Sequence, residues 1–169
     1  TLFGAKVVAE RSGILLNDEM DDFVAKPGVP NAFGLVGREA NAVEPGKKPL
    51  SSMTPTVVLD PDGAVVMAVG GSGGPYIISS TLQALSNVID FGMDPEEAVS
   101  APRMHHQWVP EVLRVDQGIP ADVQANLIAR GHTVEVKEFY SAVQMALVDG
   151  DHFTGACDPR KGGEPAAPR

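Results

Sequence analysis

Two adjacent hydroxyls and a glycine cluster are the residues whose types and spacing invite chemistry. Lys48-Pro49-Leu50-Ser51-Ser52-Met53-Thr54-Pro55-Thr56 sets Ser51 and Ser52 in a turn braced by prolines. Gly70-Gly71-Ser72-Gly73-Gly74-Pro75 opens directly onto an amphipathic segment, Ile77 to Phe91. A glycine loop at a helix start presents bare backbone N–H groups, assisted by the helix dipole. Hydroxyls and such donors suit an anion. The N–H groups of Gly73 and Gly74 could stabilise an oxyanion. A tight strand-to-helix turn that needs glycine accounts for the same spacing. The cluster is not a nucleotide loop, because no Gly-Lys-Ser/Thr ends it and Tyr76 stands where a dinucleotide fingerprint needs its third glycine. It is not a nucleophile elbow either, since no Gly-x-Ser-x-Gly is centred on Ser72.

Asp18-Glu19-Met20-Asp21-Asp22-Phe23 is the second cluster. It lacks the glycine and terminal glutamate of a calcium loop. Four carboxylates so close repel one another and call for a compensating cation, a side chain or a ligand ammonium. His105 and His106 invite a metal reading. Adjacent residues of an extended segment point to opposite sides, so the pair is read as structural hydrogen bonding, with no metal site.

The composition narrows the setting. The chain has 169 residues and a net charge of −9, which disfavours non-specific binding to nucleic acid or an anionic membrane. Cys157 is the one cysteine, so no intrachain disulfide forms. Thr1-Leu2-Phe3-Gly4 has neither an initiator Met nor a targeting segment, and the reading is a processed product or a fragment.

The elements that must position these residues follow from pattern. Val7–Ala9 and Gly13–Asn17 read as strand-turn-strand. Lys26–Pro49 is a long irregular segment, read as a lid or binding loop, with Phe33 and Leu35 able to cover a pocket. Thr56–Leu59 and Ala64–Val69 form a hairpin around Asp60-Pro61-Asp62-Gly63, nearly all apolar and hence expected to be buried on both faces. A helix runs Ile77–Phe91, and a second starts at its cap, Asp94. Leu113–Val115, Thr133–Val136, Val143–Val148 and Phe153–Ala156 read as strands, and Pro120–Arg130 as a helix. From Pro159 the tail is expected to be loose. Helices and strands are segregated, which points to a layered α+β fold.

The motifs together resemble a known family. Gly13-Ile-Leu-Leu-Asn17, Glu19-Met-Asp-Asp-Phe23, Pro49-Leu-Ser-Ser-Met53-x-Pro55, Gly73-Gly74, Ala101-Pro-Arg-x-His-His-Gln-Trp108 and Asp158-Pro159-Arg160 are similar to the small subunit of gamma-glutamyltranspeptidase. The resemblance implies an N-terminal-nucleophile hydrolase fold, an αββα sandwich of which this chain is the small-subunit part, residues 1–158 in one domain with a tail from 159 to 169. It implies an autoprocessed zymogen, a partner large subunit, and no cofactor. It implies cleavage of gamma-glutamyl amides such as glutathione, through a gamma-glutamyl enzyme, with transfer to water, an amino acid or a peptide. In similar proteins Gly73 and Gly74 form the oxyanion hole, Ser51 and Ser52 hold the substrate α-carboxylate, and Glu19 and Asp22 hold its α-ammonium. Phe33 falls in a lid loop where many members carry Tyr. A periplasmic or extracellular location is the family expectation.

One departure bears on catalysis. The family's nucleophile heads a Thr-Thr/Ser-His-x-Ser-type strand, and that motif occurs nowhere in this chain. Thr1 aligns after the family's active-site Asn and is not read as the nucleophile. Two further readings stay open: a non-catalytic, light-chain-like binding module, and a cephalosporin (glutaryl) acylase relative. Glutaryl lacks an α-ammonium, so Glu19 and Asp22 argue against the acylase.

Overall fold

The structure is a computed structural model that describes residues 4–166. Thr1, and with it the reading of its role, lies outside the described residues. The sequence reading put residues 1–158 in one domain. The chain divides into two compact units, one ending at Ser52 and the other beginning at Met53.

The first unit has little regular structure. Its opening segment folds back as expected, with Leu16 N donating to Val7 O and Ala9 N to Ile14 O, both at 2.9 Å. Val8 and Leu15 form an isolated bridge there, and Val24 with Ala42 and Pro30 with Val36 form two more further along the unit. A 3-10 turn, Glu19–Asp22, follows, and another, Glu39–Asn41, comes later in the unit. The long irregular segment is tied by its own polar groups. Asn31 Oδ1 accepts from Phe33 N at 2.9 Å and Leu35 N at 3.0 Å. Lys47 Nζ donates to the carbonyls of Ala40 and Ala42. Asparagine closing a turn onto nearby N–H groups is the local chemistry that lets such a segment hold shape without a ladder.

The second unit is an antiparallel sheet with two helices on one face. Strand β1 (Thr56–Leu59) pairs with β2 (Val65–Ser72), β2 with β6 (Ala142–Asp149), and β6 with β7 (His152–Cys157), in the order β1-β2-β6-β7. Asp60 Oδ1 accepts from Asp62 N and Ala64 N, which closes the β1–β2 turn. Helix α1 (Tyr76–Ile89) and helix α2 (Pro95–Ser100) pack on Met67, Val69, Val143, Met145 and Ala156 through Ala84, Ala98 and Val99. Asp94 caps α2, as the sequence reading expects, and Glu97 completes a capping box with it. Strands β3 (Met104–His105), β4 (Leu113–Val115) and β5 (Val134–Val136) form a second, small sheet, with α3 (Ala121–Ala129) between β4 and β5.

The β1–β2 pair corrects the expectation of burial on both faces. Thr56, Val58, Met67 and Val69 face the helices, whereas Val57, Leu59 and Val65 are exposed. The physical reason is that both helices lie on one side, so within the described residues the other pleat has no cover. The tail is not loose from Pro159 at once. Arg160 donates to Asp116 Oδ2 at 2.7 Å and to the carbonyls of Val99 and Ala101, and Lys161 Nζ donates to Ser72 Oγ at 2.7 Å.

Candidate functional site

The predicted site residues fall in both units. In the first, the 3-10 turn sets the carboxylates. Residues i and i+3 eclipse at three residues per turn. Glu19 and Asp22 therefore share a side and are half-buried, while Met20 and Asp21 are exposed. Ser52 Oγ donates to Glu19 Oε2 at 3.3 Å. The structure thus brings together one hydroxyl of the serine pair and one carboxylate of the acid cluster, 33 residues apart in sequence. Asn41 Nδ2 donates to Asp22 O at 2.8 Å, which fixes the turn's end to the irregular segment. Ser51 is exposed. Phe33, in the predicted lid, is 45% exposed.

In the second unit, β2 delivers the glycine loop to α1. The ladder continues to Ser72 opposite Ala142 and stops there. Gly73 then takes φ +134° and Gly74 φ +61°, backbone that residues with a Cβ rarely adopt. Space forbids a side chain at Gly73 as well: an ideal Cβ would lie 2.5 Å from Ser141 Cβ and 2.6 Å from Ser141 Cα. Tyr76 N and Ile77 N, the first helical donors, bond back to the carbonyls of Gly73 and Gly74. The N–H groups of Gly73 and Gly74 make no hydrogen bond among the described residues. Two such donors at the head of a 14-residue helix are an arrangement that can accept an anion.

Beneath the loop lies a polar layer that sequence reasoning missed. Ser80 and Ser141 are fully buried and their hydroxyls are 2.7 Å apart. Thr54 Oγ1 donates to Thr81 Oγ1 at 3.3 Å. The available signal was Ser79-Ser80-Thr81, three hydroxyls in a row within an apolar helix. Its partner Ser141 is 61 residues on, and nothing in the sequence marks it.

The two histidines have separate jobs. His105 is buried, stacks on Tyr76 with ring centroids 4.0 Å apart, and bonds through Nδ1 to Ser79 Oγ and through Nε2 to Gln107 Oε1. Burial holds its pKa below the ordinary value. His106 Nε2 lies 3.2 Å from Glu111 Oε1 at the surface. Structural bonding was the sequence expectation for both, and each ring has its own partner.

The Ala-Pro-Arg and Asp-Pro-Arg motifs meet in one charged knot. Arg103 and Asp158 are both fully buried and pair at 2.7 Å. Arg103 also donates to the carbonyls of Ser141 and Val99. Asp158 accepts from Val143 N at 2.9 Å and from Arg160 at 3.1 Å. Burial alone would raise the Asp158 carboxyl; the N–H groups of Arg160 and Val143 and the charge of Arg103 overcome it, and its pKa is lowered.

Comparison with known proteins decides the family. The family model described as gamma-glutamyltranspeptidase matches residues 1–168. The chain belongs to the gamma-glutamyltranspeptidase family. It is 51% identical over 162 residues to a glutathione hydrolase proenzyme of Escherichia coli, covering 95% of this chain and 28% of that protein. A solved gamma-glutamyltranspeptidase of Helicobacter pylori superposes with a TM-score of 0.84 at 47% identity, covering 94% of this chain and 87% of the matched chain. A cephalosporin acylase of Bacillus halodurans is more distant, with 25% identity and a TM-score of 0.75 over 93% of this chain and 28% of its own.

This chain therefore spans less than a third of the E. coli relative but most of one chain of the H. pylori structure. The α+β arrangement described above is that of N-terminal-nucleophile hydrolases, to which these neighbours belong. The gamma-glutamyltranspeptidase family is an enzyme family.

Proposed function

We propose that this chain supplies the glutamyl-recognising and oxyanion-stabilising parts of a gamma-glutamyltransferase that hydrolyses glutathione and related gamma-glutamyl amides. The observation that carries the reading is the Ser52–Glu19 contact at 3.3 Å, with Asp22 on the same side of the turn. A free α-amino acid carries a cation and an anion on one carbon. Carboxylates beside hydroxyls match that pair: Glu19 and Asp22 take the α-ammonium, Ser51 and Ser52 the α-carboxylate. Gly73 and Gly74 donate to the oxygen that gains charge when the gamma-amide is attacked.

The attacking hydroxyl belongs to a Thr-bearing strand outside these 169 residues. Attack by that hydroxyl on the gamma-carbonyl forms a tetrahedral oxyanion. Collapse expels the amine, which leaves with the hydroxyl's proton, and yields a gamma-glutamyl ester; water, an amino acid or a peptide then attacks that ester, takes the gamma-glutamyl group and restores the hydroxyl. A large subunit from the same precursor completes the enzyme, in a periplasmic or extracellular setting. The proenzyme name of the E. coli relative and its greater length support this two-part reading.

The test uses the complete precursor. Turnover of gamma-glutamyl-p-nitroanilide is expected, and Asp22→Asn should raise KM by about 10- to 100-fold, the loss of one charge-assisted hydrogen bond. Glutaryl-p-nitroanilide separates the acylase reading, because a glutaryl group offers Asp22 nothing to bind. Equal turnover of both substrates, or equal sensitivity of both to Asp22→Asn, would overturn the proposal. A protein that binds glutamate without turnover would be the light-chain-like module instead.

A further inference from the structure

We infer that the buried Ser141–Ser80 pair is the positioning device of the glycine loop, and thereby a determinant of transition-state stabilisation. The inference rests on the reading that the N–H groups of Gly73 and Gly74 receive an oxyanion. It goes further by naming what holds them in place.

Gly73 has no side chain of its own to anchor it, and its φ of +134° leaves the backbone several alternatives. What limits it is contact. Ser141 Cβ and Cα occupy the space beside Gly73 that any side chain there would need. Ser141 itself is held on three sides. Its chain neighbour Ala142 pairs with Ser72 in the ladder. Its carbonyl accepts from Arg103 Nη1 at 3.2 Å. Its hydroxyl meets Ser80 Oγ at 2.7 Å with no exposure to solvent. Ser80 lies on α1, one turn past Tyr76 and Ile77, whose N–H groups bond the carbonyls of Gly73 and Gly74. The hydroxyl pair therefore closes a circuit: loop to helix through the backbone, helix to Ser141 through the side chains, and Ser141 back to the loop by contact.

A buried hydroxyl pair costs desolvation that a pair of alanines would not. Two buried hydroxyls that bond each other fix a distance and a direction, which apolar contacts do not. Loop donors that stabilise developing charge need that precision, because a displacement of about 1 Å can cost about 100-fold in rate. Substrate binding in the ground state asks nothing of these donors beyond room for a carbonyl oxygen.

The experiment compares Ser141→Ala, Ser80→Ala and the double variant in the complete precursor. The readouts are kcat, KM for gamma-glutamyl-p-nitroanilide, inhibition by free glutamate, and inhibition by a tetrahedral boronate analogue of the gamma-glutamyl group. Each single variant is expected to lower kcat by about 10-fold and to weaken the boronate by a similar factor, with KM and glutamate inhibition unchanged. The double variant should match the singles rather than multiply them, because both remove one bond. Unchanged kcat and boronate inhibition in Ser80→Ala, with normal turnover by the parent, would overturn the positioning role and leave the oxyanion reading intact. Absence of turnover by the folded parent would strike the oxyanion reading itself. If Ser141→Ala fails to fold, Ser80→Ala breaks the same bond from the helix and decides the matter alone. Equal losses in kcat and glutamate affinity would mark the pair as a general scaffold and also overturn the inference.

Discussion

At the scale of single residues, the glycine loop shows how the lack of a side chain sets a backbone path. Gly73 is required twice over, by its φ of +134° and by the backbone and side chain of Ser141. Gly73→Ala should destabilise the protein by about 1–3 kcal/mol, the cost of overpacking, and abolish most turnover. Unfolding by denaturant and assay of the folded fraction check the two parts separately. Gly74 is constrained by φ +61° alone, so Gly74→Ala should cost less stability, about 1–2 kcal/mol. The strained turn at Gly73-Gly74 was legible from residue type and local order, as glycines between a strand and a helix. Ser141 was not, because its importance comes from a ladder register that no local pattern encodes.

At the scale of elements, local sequence signals and structure agree where the chemistry is local. Asp94 and Glu97 bond each other's backbone N–H groups at the start of α2. Asp94→Ala should cost about 1 kcal/mol, seen as a shift of the unfolding midpoint without loss of kcat. His105 gives a pH dependence of definite sign. Burial lowers its folded pKa below the unfolded value near 6.5. The unfolded chain therefore takes up the proton first. Stability is full above about pH 6.5 and falls as the pH drops from there towards the folded pKa. His105→Gln should flatten that portion of the stability–pH curve. The hairpin turn and the cap were readable because two to four adjacent residues write them. The faces of β1 and β2 were not, because an all-apolar strand has no alternation to say which pleat the helices cover.

At the scale of the whole chain, the charged knot ties distant segments. Arg103, Asp116, Asp158 and Arg160 join the end of α2, the β4–α3 connection, β6 and the C-terminal segment. Arg103→Ala leaves the Asp158 carboxylate buried with less compensation and should cost about 3–5 kcal/mol in global unfolding. The two Pro-Arg motifs were visible in the sequence, but their meeting was not. They are more than fifty positions apart, and only the fold makes Asp158 common to both arginines. The order in which a ribosome delivers the chain gives this knot a further meaning. Arg103 emerges long before the aspartate that neutralises it, and Arg160 comes later still. Until those residues are out, α2 and β6 have a cation with no counter-ion between them. A chain cut short of residue 158 is therefore expected to leave Met67, Val143 and Met145 open to protease, and limited proteolysis of such a truncation beside the full chain checks it.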